Sequence, residues 1–266
     1  MWETIIINPF TTVLLLIYKL IGGDFGIAII LFTILIRLIT HPLMVSQIKS
    51  STKMTEFQQS KQWQDIQKKY KGDKEKLAQE QMNLYKELGI SPFASCLPSL
   101  VQIPLIFGLY QSIMRALAAT PGQLLILTRA VSPLLNFFHI NTPDLVPLHS
   151  KFLWMNLGQP ERLYMFGVGI PLLAIIVAIT TYVQSKVTMP ASTNPGDQGA
   201  MMNKMMALYM PLLLGYFALT FASGLSIYFI TGNLIGIAQY ALLGKVNWRA
   251  IVPGYKPEKT ALARTK

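Results

Sequence analysis

The sequence is poor in the residues on which most catalytic and metal sites are built. A single cysteine, Cys96, excludes an intramolecular disulfide, and the three scattered histidines, His41, His139 and His149, lack metal-ligand spacing. No GxSxG elbow, HExxH helix, Walker-type glycine loop or cysteine pair is present, so no enzyme activity and no cofactor is expected. Charge is scarce, at 13% of 266 residues, and acid is scarcer still, with 12 Asp and Glu against 23 Lys and Arg. None of the acids lies within an apolar run. Ion-coupled transporters usually keep a carboxylate in the bilayer for the coupling ion, so that class is weakened.

What is abundant is apolar surface. The chain is 52% hydrophobic with a mean hydropathy of +0.42, the composition of an all-α polytopic membrane protein. The stretch Gly26–Gln47, GIAIILFTILIRLITHPLMVSQ, is long enough to cross a hydrocarbon core of about 30 Å at about 1.5 Å per residue. It carries Arg37. An arginine at mid-span costs about 2.5–3.5 kcal/mol on insertion scales, so it must reach water, a partner or a cavity. Two readings are open. Its stem lies along apolar neighbours while the head snorkels to the headgroups, or it sits in a wet cavity whose polar lining comes from Thr33, Gln102, Gln184, Asn233 and Gln239. With no acid available inside a span, a buried ion pair is not expected.

The chain divides by composition. Residues 1–24 contain the apolar run Pro9–Ile21, too short to span comfortably, and are expected to form an interfacial helix ending at Gly22-Gly23. Transmembrane helix 1 covers 25–48, with Pro42 bending its last turns. Residues 49–90 turn polar, with Met54, Phe57, Ile66, Tyr70, Leu77, Leu84, Tyr85 and Leu88 near helical spacing, and predict a hairpin of two amphipathic helices broken at Lys71-Gly72-Asp73. That hairpin is either a solvated topology marker or a docking surface. Helix 2 covers 91–118, bent by Pro98 and Pro104; 119–162 is a proline-containing external segment; helix 3 covers 163–186. A loop over 187–202 leads to helix 4 at 203–222 and helix 5 at 223–244, joined by a tight turn, and a basic tail occupies 245–266. Gly232 and Gly236 form a GxxxG pair, read as a helix-packing face. The methionines at 201, 202, 205, 206 and 210 suit either ordinary packing or a surface accepting varied apolar segments.

Basic residues give the orientation. Nine lie in the hairpin, two flank the second loop and six lie in the tail, against five on the opposite side, Lys19, Arg115, Arg129, Lys151 and Arg162. Positive-inside then places the hairpin and tail in the cytoplasm and the N-terminus outside, with five spans between. The first residues lack a charged n-region with a cleavage site and an Arg- and Ser-rich transit pattern, so a bacterial plasma membrane is expected.

TILIR at 33–37 followed by HPL, MNLYKELGISPFASCLPSLVQIPLIFGLY at 82–110 and MPLLLGYFALTFASGLSIYFITGNLIGIAQ at 210–239 stand in order with the spans. Together they resemble the YidC family of membrane protein insertases over nearly the whole length, in its minimal form without a large external domain. The resemblance implies a five-helix core around a hydrophilic groove, open to cytoplasm and lipid and closed toward the outside, in which Arg37 attracts the polar leading segments of nascent membrane proteins. It also implies that Thr33, Tyr228 and Phe229 touch substrate helices. Phe229 stands where relatives often carry a second tyrosine. The implied partners of the hairpin are the ribosome, targeting machinery and the Sec translocon, with the tail a weaker contact for ribosomal RNA phosphates.

Overall fold

The structure is a computed structural model that describes residues 1–70, 72–87, 97–117, 122–123, 125–129, 131, 148–165, 168–188, 198–246 and 248. Most of 119–147, the Cys96 region, the loop at 189–197 and nearly all of the basic tail lie outside the described residues. Helices dominate: α1 (Asn8–Leu20, entered through a π-helical turn at Glu3–Ile7), α2 (Phe25–Ile39), α3 (His41–Gln59), α4 (Lys61–Lys69), α5 (Lys74–Glu87), α6 (Leu97–Ala116), α7 (Leu172–Thr188), α8 (Gln198–Thr220) and α9 (Ser223–Leu242). Two short antiparallel pairs, β1 (Lys151–Phe152) with β2 (Met155–Asn156) and β3 (Leu163–Met165) with β4 (Val168–Ile170), are additions to the expected helical architecture.

Local chemistry sets most boundaries. Gly22 and Gly23 take φ of +83° and +95°, a region open to glycine, and end α1; the Asp24 carboxylate then accepts from Ile27 N at 3.0 Å and starts α2. The expected first span is not one straight helix. It bends by 56° between Ile39 and His41, because Pro42 in the first turn of α3 has no N–H for the turn behind it. The helix from His41 runs on to Gln59, so the polar hairpin begins inside α3. The hairpin's first arm is itself broken, since Ser60 adopts an extended conformation and its hydroxyl accepts from Trp63 N at 3.2 Å, capping α4. Phe57, Trp63 and Tyr85 pack ring on ring into the hairpin's own core, flanked by Ile66, Leu77 and Leu84.

Two further boundaries move. Residues 163–165 and 168–170 form β3 and β4 rather than the start of a span, and α7 begins after Pro171. Alpha8 begins at Gln198, five residues before the expected 203; of those added, Gln198, Ala200, Met201 and Met202 favour helix.

Among the described residues two helices are long and apolar enough to cross a membrane, Glu3–Leu20 and Ser223–Leu242; the bent pair Phe25–Ile39 with His41–Ser50 is a third if it is one span. Leu172–Thr188 and Ala207–Thr220 are shorter apolar helices. The N-terminal helix is thus longer than the 9–21 run predicts. It nevertheless lies across its neighbours: Glu3 meets Arg115 in the last turn of α6, Phe10 stacks on Phe32, and Tyr18 stacks on Phe25 in the first turn of α2. Both ends of α1 therefore sit where α6 finishes and α2 begins. Exposed apolar stripes recur on the bundle's surface, Ile27, Leu31, Leu35 and Leu38 on α2 and Leu208, Leu212, Tyr216 and Leu219 on α8. Stripes of this kind suit lipid and not water.

One end of the bundle is tied together by residues 148–161. Phe152 lies against Gly26, Leu157 is fully buried, and the carbonyls of Leu157 and Gln159 accept from Gly224 N and Ser223 N at 3.1 and 2.9 Å, closing the start of α9. Glu161, 6% exposed, has both oxygens engaged: Trp154 Nε1 donates at 3.0 Å and Leu173 N, in the first turn of α7, at 3.1 Å. A helix N-terminus is a good counter-pole for a buried carboxylate. Glu161→Ala strands the Trp154 indole and removes that cap, and is expected to cost about 1–3 kcal/mol, read as a lower melting temperature in detergent. An unchanged melting temperature would contradict this role.

Candidate functional site

The residues that matter lie at the other end of α2. On α9, Tyr228, Gly232, Asn233, Gly236 and Gln239 recur at helical spacing and share one face. That face is buried against α2 and α7. In a largely apolar helix it gathers four polar contacts and gaps, at Gly232, Asn233, Gly236 and Gln239, that α2, α3 and α7 use.

Arg37 is in the last turn of α2, half-buried, with its guanidinium laid over Gly232. A methyl group at Gly232 would stand 2.9 Å from Arg37 Nη2 and 3.5 Å from Nε, so only glycine leaves the arginine where it is. Among the described residues the ion pairs are Lys76–Asp73 and Arg115–Glu3, and no carboxylate reaches Arg37. The cation is therefore held by space and dipoles. At the next residue of α9, Asn233 Nδ2 donates to the hydroxyls of Thr180 and Thr181 on α7, at 3.1 and 2.8 Å. Gly236 then makes room for Gln184, whose Nε2 would lie 2.5 Å from a methyl group there. Last, Gln239 Nε2 donates to the Arg37 carbonyl at 3.1 Å and lies 3.1 Å from His41 Nδ1.

The structure thus gathers Arg37, Gln184, Asn233 and Gln239 onto a single α9 face. Gln102, on α6, donates to the Tyr228 hydroxyl. Thr33 stands apart: it is fully buried, and its hydroxyl donates to its own helix at Ile29 O, 2.7 Å. Tyr228 and Phe229 are 3% and 5% exposed, and Phe229 belongs to the apolar core, so in this conformation neither ring is presented on the surface. The GxxxG pair is not a bare packing face; each glycine admits a polar side chain from a neighbouring helix. Thr180, Thr181 and His41 escaped the sequence reading. Their signal was available, because Thr180 and Thr181 precede Gln184 by one helical turn and so share its face.

A half-buried cation with no carboxylate partner among the described residues attracts anions more strongly than it would in water. Nothing in this set is a nucleophile with a base. A separate cavity of about 520 Å³, lined by Met114, Arg115, Gln123, Ser150 and Asn156, lies at the end tied by 148–161.

If Gly236 exists to seat Gln184, then Gly236→Ala is expected to destabilise the bundle by about 1–3 kcal/mol, while Gln184→Ala in the same chain recovers part of the loss. Thermal unfolding of the four members of this double-mutant cycle checks it; strictly additive effects would contradict the contact.

The family model described as "60Kd inner membrane protein" matches residues 16–249. Membrane protein insertase MisCA of Bacillus subtilis is 33% identical over 246 residues, spanning 91% of this chain and 78% of its own. Membrane protein insertase YidC of Oceanobacillus iheyensis is 32% identical over 250 residues, covering 92% and 84%. A crystal structure described as active YidC insertase with the first transmembrane domain resolved superposes with a TM-score of 0.53 at 25% identity, covering 88% of this chain and 45% of that one. Matched over most of its length by the family model and by relatives of similar size, the chain belongs to the 60Kd inner membrane protein family, that of the YidC and MisCA insertases.

Proposed function

We propose that this protein is a membrane protein insertase that draws short polar segments of nascent membrane proteins into a groove around Arg37 and releases their apolar helices into lipid. The observation that carries this reading is the arginine itself, half-buried, without an anion among the described residues, and backed by the polar face of α9. A site that keeps a cation unpaired suits a transient acidic guest. The driving force is burial of substrate apolar surface in lipid at about 25 cal/mol per Å², with the membrane potential adding about 2.3 kcal/mol per charge per 100 mV for acidic segments.

In this reading five spans cross the plasma membrane, built on α2 with the start of α3, then α6, α7, α8 and α9. The N-terminal helix lies at the interface, consistent with its course across α2 and α6. The end tied by 148–161 faces outward and closes the groove, and the hairpin of α3, α4 and α5 lies in the cytoplasm with the basic tail. The hairpin docks the ribosome, targeting machinery or the Sec translocon. Gln102, Gln184 and Asn233 line the groove with Arg37, and the buried Thr33 and Gln239 back it. Tyr228 and Phe229 meet the substrate helix once the helices part.

Reconstituted protein should insert a single-span substrate with an acidic translocated segment above the level of empty liposomes. Arg37→Ala is expected to lower that insertion about tenfold, which corresponds to about 1.4 kcal/mol, and Arg37→Lys to retain most of it. Wild-type insertion no better than empty liposomes contradicts the reading, and full activity of Arg37→Ala removes the role of the charge.

A further inference from the structure

The break between α2 and α3 falls three residues beyond Arg37, and it leaves the end of α2 short of backbone donors. Thr40 serves Ile36 O twice, through its N at 2.9 Å and its hydroxyl at 2.8 Å. Pro42 has no N–H to offer Leu38. The carbonyl of Arg37 accepts from a different helix, from Gln239 Nε2 on α9 at 3.1 Å. The same amide nitrogen lies 3.1 Å from Nδ1 of His41, the first residue of α3, so one side chain touches both sides of the 56° bend.

Two turns before Gln239 on the same face of α9 is Gly232, the gap over which the guanidinium lies. Alpha9 therefore holds Arg37 at two points, its backbone through Gln239 and its charged head through Gly232. We propose that Gln239 is the positioning residue for Arg37, fixing the bent end of α2 on α9 so that the guanidinium stays over Gly232 and faces an incoming acidic segment. Gln239 is 5% exposed and its donor is committed inside the protein, which fits a brace better than a surface that substrate touches. Its Oε1 is buried and has no partner among the described residues. Gln239→Met accordingly removes the brace with little other loss, since the methionine keeps the length and takes away an unsatisfied acceptor.

This inference rests on the insertase reading, and the test separates the two. Two single-span substrates that differ only in an acidic or an uncharged translocated segment are inserted into liposomes carrying wild type, Gln239→Met or Gly232→Ala. Both variants are expected to lower the ratio of acidic to uncharged insertion about fivefold, and amide hydrogen exchange over the bend at residues 37–44 should quicken in Gln239→Met but not in Gly232→Ala. Gly232→Ala moves the guanidinium without touching Gln239, so agreement between the two variants identifies the position of the charge as the cause. An unchanged ratio, or an equal loss on both substrates, overturns the positioning role. Should wild type insert neither substrate, the insertase reading falls, and hydrogen exchange alone decides the brace: unchanged exchange at the bend in Gln239→Met refutes it.

Discussion

A single cation without an anion sets the terms for the rest of the structure. Arg37 stands in an apolar helix, and no carboxylate among the described residues comes within ion-pair distance of it. Desolvating an arginine is expensive unless dipoles or water replace its hydration. The helix opposite meets that demand in two ways. Gly232 gives the guanidinium space, and Gln239 Nε2 donates to the carbonyl of Arg37 itself. A carboxylate from α6 or α7 would stabilise the arginine more, and would also neutralise the charge that the proposed function assigns to an acidic guest.

The two ends of the bundle answer different needs. At one, residues 148–161 cap the starts of α7 and α9 and cover the start of α2, and the buried Glu161 has both oxygens satisfied. That end is held by backbone hydrogen bonds and a packed apolar core. At the other, α2 bends, α3 leaves as a long polar helix, and side chains carry out the capping that backbone donors perform elsewhere. A tied end and an adaptable end are what a groove closed on one side requires, and the proposed orientation places the tied end outward.

Much of this was legible in the sequence, for reasons that can be named. Arg37 stood out because a charge inside a 22-residue apolar run has few explanations, and Pro42 marked the bend. Asn233, Gln184 and Gln239 were legible as polar residues in apolar helices. What periodicity could not reveal was partnership: that Gln239 grips a carbonyl on α2, that the GxxxG glycines make room for Arg37 and Gln184, and that Thr33 turns its hydroxyl onto its own helix. These depend on which helices become neighbours. The strands at 163–165 and 168–170 were missed because an apolar run of aromatic and branched residues reads alike as the start of a span or as short strands. Glu161 lay in the segment read as external and was given no role, because its partners, Trp154 and the start of α7, are set by tertiary packing.

The central claim is that water and charge reach the Arg37 face from one side of the membrane only. In a Cys96→Ser background, Gln184→Cys on that face and Ile179→Cys on the 56% exposed apolar side of α7 can each be treated with a membrane-impermeant thiol reagent from either side. A wet groove open to the cytoplasm predicts that Gln184→Cys reacts from the side of the hairpin and not from the other, while Ile179→Cys reacts from neither. Protection of Gln184→Cys from both sides would mean a dry, closed helix interface and would contradict the groove.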